Sequence, residues 1–228
     1  MTTFALCFAE MTETTATVIS IGTIVLLLLV LVVLSACNKK MDTRSIAFAG
    51  VSIALSFALS FVKFKVNANG GSITVASMLP IILYAYFFGP YKGLIVGLVH
   101  GLLQFVESAY VISPLSFFLD YPLAFAGVAF AGVMGIVMKN KPKAALIIGA
   151  ALAFVFRFIM HFCSGFLFYA GTDMTAGAIW KANFIYQCSY VPLDAAICIV
   201  LLVALVVSPG FNALKRVMHP TEQPTQQA

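Results

Sequence analysis

Asp120 is the residue whose type and surroundings most clearly suggest chemistry, because it is a carboxylate within a long apolar stretch. It is the only charged residue between Ser108 and Met138. An ionised side chain at the centre of a bilayer costs about 2.5 to 3.5 kcal/mol on insertion scales, so such residues usually face a cavity, a counter-charge or a substrate. We therefore expect Asp120 to hold a positively charged group.

A second set of residues recurs every four positions further along the chain. Its members are Arg157, His161, Gly165 and Tyr169. Each turns about 40° from the last, so the set follows one gently spiralling helix face. Taken singly, Arg157 can extend to the membrane surface, His161 can join two helices, and Tyr169 can belong to the interfacial aromatic belt. Their shared face predicts the lining of a pocket.

Two further apolar runs carry polar residues on one face. These residues are Asn183, Gln187, Tyr190 and Asp194 in the last run, and His100, Gln104 and Glu107 in an earlier one. Gln187 suits the hydrogen-bonding edge of a ligand, whereas Asp194 can pair with Arg157 as a structural bridge. Four helices are thus expected to contribute polar groups to one small-molecule site.

Catalytic and phosphate-binding motifs are missing from the sequence. It contains no G-x-S-x-G elbow, H-E-x-x-H zinc pair or phosphate-binding glycine loop, and its five cysteines form no C-x-x-C pair. We expect no enzymatic activity, no metal, no cofactor and no disulfide. An intramembrane enzyme using Asp120 and His161 as acid and base is the weaker alternative. Because no Walker motif is present, any ATP must be hydrolysed by a separate subunit.

The elements that position these residues are predicted to be membrane-spanning helices. The 228 residues are 62% hydrophobic and 9% charged, with a mean hydropathy of +1.04, which is typical of all-α polytopic membrane proteins and excludes a soluble domain. About seven stretches are candidates to cross the hydrocarbon. They run Val18 to Cys37, Ser45 to Val62, Ser72 to Tyr91, Gly93 to Val106, Ser108 to Met138, Ala144 to Thr172 and Ala182 to Leu214.

The basic residues predict the orientation of these spans. The net charge is +5, but the basic residues are scattered along short loops, so we expect no nucleic-acid partner. Nine of the thirteen fall on one side when alternate loops are counted, which makes that side cytoplasmic. These nine are Lys39, Lys40, Arg44, Lys92, Lys139, Lys141, Lys143, Lys215 and Arg216. Lys63 and Lys65 lie on the other side.

The first apolar run has three possible explanations. Cys37 ends a phrase similar to a lipoprotein cleavage box, but residues 1–17 lack the basic residues of a secretory signal. We therefore favour a polar N-terminal tail over residues 1–17 and a retained transmembrane helix over 18–40. A cleaved lipoprotein signal and a start-site artefact are the alternatives. Residues 218–228 predict a disordered cytoplasmic tail.

A stripe of small residues lies in the second apolar run. Gly50, Ala54 and Ala58 recur every four residues, a spacing that lets another helix approach closely in lipid. A contact within the chain explains this stripe at least as well as docking to a separate membrane subunit.

Several phrases resemble the thiamine-binding S-component of energy-coupling factor (ECF) transporters. The most specific is Phe118-Leu119-Asp120-Tyr121-Pro122-Leu123-Ala124-Phe125. Before it stands Gly101-Leu102-Leu103-Gln104, and the helix phrase from Arg157 to Gly165 follows. The resemblance extends from about Met41 to Leu214, so the helix over 18–40 is an addition.

The resemblance implies a six-helix substrate-binding membrane domain over residues 41–217. In that family the helices enclose a vitamin site near the outer face, and the loop after the first helix, here Lys63 to Ser72, closes over it. The ECF transmembrane subunit docks on small residues of the first helix, corresponding to Gly50, Ala54 and Ala58. Two ATPase subunits supply the energy, and the whole S-component topples during transport.

The resemblance also assigns roles to residues. Asp120 takes the position of the acidic residue that faces the thiazolium ring, with Tyr121 beside it, and Gln187 falls where an asparagine contacts the aminopyrimidine. Arg157, His161, Gly165 and Tyr169 fall on the family's basic, histidine, glycine and aromatic binding positions. The sequence departs from the pattern with Asp for Glu at 120, Arg for Lys at 157, Tyr for Trp at 169 and Gln for Asn at 187. The loop over 63–72 contains no tryptophan.

These patterns predict a multi-pass subunit of a bacterial cell membrane that captures thiamine, as a transported ligand and not a cofactor. One alternative is an S-component for another vitamin or for a thiamine precursor. Another is a structural subunit of a membrane complex, in which Asp120 pairs with Arg157.

Overall fold

The computed structural model describes residues 41–66, 71–169 and 172–218. The predicted tail over 1–17, the predicted helix over 18–40 and the tail after Met218 lie outside the described residues. The elements are α1 (Thr43–Ser60), β1 (Lys63–Lys65), β2 (Ser72–Thr74), α2 (Leu79–Phe88), α3 (Pro90–Glu107), α4 (Pro114–Phe118), a π-helical turn (Leu119–Leu123), α5 (Ala124–Ala126), α6 (Ala129–Val137), α7 (Pro142–Tyr169), α8 (Ala176–Cys188), α9 (Val191–Val207) and α10 (Gly210–Met218).

The described part of the chain is a packed set of apolar helices. Four stretches are long and apolar enough to cross a membrane: Thr43–Ser60, Pro114–Val137, Pro142–Tyr169 and Gly177–Val207. The ten-residue α2 is apolar but shorter, and α3 follows it directly. These helices confirm the prediction of a polytopic all-α membrane protein.

A short β-hairpin replaces the beginning of one predicted span. The run from Ser72 to Tyr91 was expected to be one helix, but β2 occupies its first residues and α2 begins only at Leu79. β1 and β2 pair in antiparallel register, with Lys63 opposite Thr74. Ala76 has a φ of 56°, a conformation that turns the chain from the hairpin towards α2.

The last predicted span, Ala182 to Leu214, is three helices. α8 ends at Cys188, and Pro192 lies in the first turn of α9. Backbone N–H groups of the first turn have no partner within the helix, so a proline there costs no helical hydrogen bond. Ser208 is extended before Pro209, as residues before proline prefer, and this ends α9. Prolines within the apolar run therefore divide it, although hydropathy alone reads it as continuous.

The core is centred on α2, which packs against α1, α3 and α6. Ile81, Ile82 and Tyr84 are fully buried there, and the Tyr84 hydroxyl donates to the Ser45 carbonyl at 3.1 Å. α7 packs against α6, α8 and α9 on the other side. The arrangement brings α3, α7 and α8 together near one end of the molecule.

The small residues of α1 form two sets that lie on opposite faces of the helix. Ser45, Ser52 and Ser56 face inward and are buried. The small-residue stripe, Gly50, Ala54 and Ala58, faces outward and is exposed. A contact with the described part of the chain therefore does not explain that stripe.

Opposite ends of α1 carry different ionic contacts. At its start, Lys92 donates to Asp42 at 2.8 Å and holds the pKa of that carboxyl well below its usual range, and Arg44 donates to the Val217 carbonyl. At its far end, Lys63 pairs with Glu107. Because 18 helical residues rise about 27 Å, these two groups lie at opposite ends of the bundle.

Candidate functional site

One cavity lies at the end of the bundle that carries the hairpin. It measures about 170 Å³. A single water needs about 10 to 15 Å³ of such space, so the cavity accommodates a small organic molecule. α3, the π-helical turn, α7, α8 and both strands contribute to its walls. All seven residues predicted to bind a ligand line it: Asp120, Tyr121, Arg157, His161, Gly165, Tyr169 and Gln187.

A π-helical turn presents Asp120 to the cavity. Pro122 lies inside this turn and has no N–H to donate, which disrupts the ordinary helical bonding and widens the turn. α3 can approach closely because of two glycines. A Cβ at Gly101 would lie 2.4 Å from the Tyr121 carbonyl oxygen, and one at Gly97 equally close to that of Phe125. The position of the carboxylate thus depends on a proline in one element and glycines in another.

The Asp120 carboxylate is oriented by two residues of α7. His161 Nδ1 lies 2.9 Å from Oδ1, and the Ser164 hydroxyl donates to Oδ2. The Asp120 side chain is 27% exposed, so it still faces the cavity after making both bonds. A ligand can therefore reach a carboxylate whose orientation is already set.

Arg157 is paired with a carboxylate inside the protein. Its Nη1 donates to Asp194 Oδ2 at 2.6 Å, and its guanidinium carbon lies 4.8 Å from the centre of the Phe125 ring. Arg157 and Asp194 are both buried. This confirms the structural bridge that was predicted as one possibility for Asp194, and Arg157 does not extend to the membrane surface.

The hydrogen bonds of His161 hold its ring between Arg157 and Asp120. Arg157 Nε donates to His161 Nε2 at 3.3 Å, so Nε2 is an acceptor. Nδ1 faces the acceptor-only Asp120 carboxylate and therefore carries the proton.

The charges around the cavity leave one carboxylate without an ionic partner. Four charged residues line the cavity within the described chain: Lys63, Glu107, Asp120 and Arg157. Lys63 pairs with Glu107, and Arg157 pairs with Asp194. Asp120 therefore has no lysine or arginine partner among the described residues that line the cavity. The cavity is therefore suited to a positively charged ligand.

Two hydrogen-bonded amide side chains, Gln187 and Asn183, form the α8 wall of the cavity. Gln187 Nε2 donates to the His161 carbonyl at 3.1 Å, and its Oε1 accepts from the Tyr190 hydroxyl at 2.6 Å. Asn183 Nδ2 donates to the Phe162 carbonyl at 2.8 Å. The Gln187 side chain is thereby held in one orientation at the cavity wall.

Gly165 of α7 lies beside Asn183 of α8. A Cβ at this position would lie 2.0 Å from Asn183 Oδ1. The space beside Gly165 is thus occupied by the Asn183 amide, and Gly165 itself also lines the cavity.

Aromatic residues form the remaining walls. The Tyr121 hydroxyl donates to the Ser108 carbonyl at 2.6 Å, which ties the loop after α3 to the π-helical turn. Tyr169 lies at the end of α7, edge-on to Phe168. Phe125 and Tyr186 also line the cavity and were not among the predicted residues.

Sequence reasoning also missed Ser164 and Thr74. Ser164 comes three residues after His161, so extending the helix-face argument by the i+3 neighbour could have found it. Thr74 donates from both its N–H and its hydroxyl to Asp194, at 2.9 and 2.7 Å. Thr74 was not found because β1 was predicted to be part of a loop and β2 to be the start of a membrane-spanning helix.

The fold and the cavity define a class: a helical, multi-pass membrane protein with a cavity lined by polar and aromatic side chains. The chain belongs to the thiamine transporter protein family (Thia_YuaJ), whose sequence pattern matches residues 46–211. This confirms the resemblance found in the sequence, and it places the chain among transporters and not among enzymes.

Two known proteins are similar to this chain. The thiamine transporter ThiT of Bacillus subtilis (strain 168) is 27% identical over 146 residues, which cover 60% of this chain and 76% of that protein. The solved structure of ThiT from Listeria monocytogenes matches with a TM-score of 0.60 and 21% identity, over 71% of this chain and 92% of that one. The structural likeness concerns the fold.

Proposed function

We propose that this protein is the substrate-binding subunit of an ECF-type transporter in a bacterial cell membrane, and that it captures thiamine for uptake. Membership of the thiamine transporter family supports the substrate. The sequence has no nucleotide-binding motif, so a separate membrane subunit and two ATPase subunits would supply the energy. Residues 41–217 would form the substrate-binding domain.

The observation that carries the substrate proposal is the unbalanced charge of Asp120. Thiamine has a fixed positive charge on its thiazolium ring, and Asp120 is an oriented carboxylate with no cationic partner among the residues that line the cavity. Aromatic faces in the same cavity add to this, because a desolvated cation over a ring gains about 2 kcal/mol. Tyr121 and Tyr169 are the predicted aromatic contacts.

The aminopyrimidine ring of thiamine would lie towards α8. Gln187 is the predicted hydrogen-bonding residue, and the bonds to Tyr190 and the His161 carbonyl support this by holding its amide in place. Gly165 would act by admitting Asn183 close to α7. We assign Arg157 an indirect role, in which it orients His161 and through it Asp120.

The outward stripe of α1 is the proposed docking face for the ECF transmembrane subunit. Its support is that Gly50, Ala54 and Ala58 are exposed and that no side chain in the described chain lies within 4 Å of a Cβ placed on Gly50. Small residues allow a partner helix to approach closely in lipid, where close packing drives association.

The alternative of a purely structural subunit has lost its main support. It depended on Asp120 pairing with Arg157, whereas Arg157 pairs with Asp194. An S-component for a neutral vitamin would not need the negative charge of Asp120, and this distinguishes it from the thiamine proposal.

Calorimetric titration of the purified protein with thiamine, riboflavin and hydroxymethylpyrimidine tests the substrate. We expect thiamine to bind at least about a hundredfold more tightly than either neutral compound, a difference of about 2.7 kcal/mol. Equal or tighter binding of riboflavin or of the pyrimidine alone would refute the assignment of thiamine.

A further inference from the structure

Asp194 is a buried carboxylate that does not line the cavity, yet it connects two elements that do. Only 1% of the residue is exposed. Its two oxygens have different partners: Oδ1 accepts from Thr74 of β2, and Oδ2 accepts from Arg157 of α7. A single side chain of α9 thus joins the hairpin to the helix that carries His161.

On the hairpin side, Asp194 accepts two bonds from one residue. The Thr74 N–H lies 2.9 Å from Oδ1 and the Thr74 hydroxyl 2.7 Å from it. Thr74 lies opposite Lys63 in the hairpin, and Lys63 and Ser72 both line the cavity. The position of this cavity wall therefore depends on the bonds to Asp194.

On the cavity side, the chain of hydrogen bonds continues to Asp120. Arg157 donates to Asp194 and to His161, and His161 donates to Asp120. Each bond constrains the orientation of the next side chain, as in other buried polar networks. An unbroken series of hydrogen bonds therefore links Thr74 in the hairpin with the carboxylate proposed to meet the ligand.

We propose that Thr74 and Asp194 are positioning residues for thiamine binding, which hold the hairpin wall and the Asp120 carboxylate in their binding arrangement through this network. The inference rests on the proposed function. Neither residue lines the cavity, so neither is expected to touch the ligand. Because one network connects them, the position of the hairpin wall and the orientation of Asp120 depend on each other.

Thr74→Val tests the hairpin end of the network, because valine keeps the shape of threonine and removes its hydroxyl. Bound radiolabelled thiamine is chased with unlabelled thiamine, and we expect dissociation to accelerate about fivefold, as the loss of the hydroxyl's buried hydrogen bond to Asp194 implies. Thr74→Ser keeps the hydroxyl and should dissociate like the wild type. Ser77→Ala serves as a second control, because the Ser77 hydroxyl contacts that of Thr74 at 2.8 Å without contacting Asp194.

Hydrogen exchange of the ligand-free protein tests the coupling itself. His161→Gln alters the network far along the chain from the hairpin, and we expect the Thr74 amide, which donates to Asp194, to exchange about fivefold faster in this variant. Ile159→Val, on the exposed face of α7 and outside the cavity, leaves the network intact and should exchange like the wild type.

The outcomes separate the two proposals. If the wild type binds thiamine but Thr74→Val dissociates no faster than Thr74→Ser, the positioning role is wrong and the function stands. If the wild type binds no thiamine, the function is wrong. The exchange measurement then still decides whether the hairpin and the His161 side chain are coupled, and unchanged exchange in His161→Gln overturns that coupling.

Discussion

Arg157 and Asp194 form an ion pair of 2.6 Å between α7 and α9, with side chains only 9% and 2% exposed. This pair determines the charge of the cavity, because it neutralises the arginine that would otherwise balance Asp120. It also orients His161, whose Nε2 accepts from Arg157 Nε. One buried pair therefore influences both the charge of the cavity and the direction of its carboxylate.

Asp120→Asn should weaken thiamine binding by more than about tenfold, or about 1.4 kcal/mol, because it removes the unbalanced negative charge and little volume. Calorimetry gives the affinity. Asp173→Asn is the matched control, since Asp173 is an exposed carboxylate outside the cavity and should have no effect. Unchanged affinity in Asp120→Asn would show that the carboxylate does not meet the thiazolium ring.

Arg157→Met should destabilise the ligand-free protein by about 3 to 5 kcal/mol, because it leaves Asp194 buried without a counter-charge. The midpoint of thermal unfolding in detergent measures the loss. The double variant Arg157→Met with Asp194→Asn removes both charges and should recover part of it. Arg216→Met, on an exposed position of α10, is the control. A double variant no more stable than the single one would contradict this explanation.

Gly165→Ala should lower both stability and thiamine affinity, because the new methyl group would displace the Asn183 amide that lies 2.0 Å away. Overpacking of this kind costs about 1 to 3 kcal/mol. Gly177→Ala adds the same methyl group to α8 where no neighbouring atom lies within 4 Å, and it should be neutral or slightly stabilising. Thermal unfolding and calorimetry on both variants make the comparison, and equal effects would refute the steric explanation.

Glu107→Gln should weaken thiamine binding, because it leaves the positive charge of Lys63 unpaired at the cavity wall. The expected loss is about three- to tenfold and should diminish at high salt, since mobile ions screen partly exposed charges. Combining Glu107→Gln with Lys63→Met restores the net charge of the cavity and should restore most of the affinity. If the double variant binds as weakly as the single one, the geometry of the pair matters and its charge does not.

Ala54→Leu should abolish thiamine uptake in cells that contain the complete transporter while leaving thiamine affinity unchanged. The larger side chain would obstruct the outward stripe of α1, which lies away from the cavity. Val200→Leu, on an exposed position of α9, is the control and should transport normally. Retained uptake by Ala54→Leu would place the docking face elsewhere.

The residues that line the cavity could be predicted from the sequence to a large extent. Arg157, His161, Gly165 and Tyr169 follow one another at four-residue intervals on one helix, and helical geometry alone places them on one side. Asp120 stood out because a lone carboxylate in an apolar run requires a polar environment. These are local arguments, and they need no knowledge of which helices are neighbours.

The hairpin and the breaks in the helices could not be predicted in the same way. Hydropathy is similar in a buried strand and a buried helix, so the apolar run containing Thr74 looked like the start of a span. The break before Pro192 could not be predicted either. Proline is compatible with the first turn of a helix, and it does not interrupt an apolar run in a hydropathy analysis.

The sequence by itself determined that the chain is a helical membrane protein and which polar residues share each helix face, since both follow from composition and from the 3.6-residue period. Only the tertiary structure decided that Arg157 pairs with Asp194, that His161 and Ser164 orient Asp120, and that Thr74 joins the hairpin to this network. The physical reason is that such pairings depend on how closely two helices approach. That distance is set where Gly101 and Gly165 admit a neighbouring backbone or side chain, and the residues so joined are far apart in the sequence.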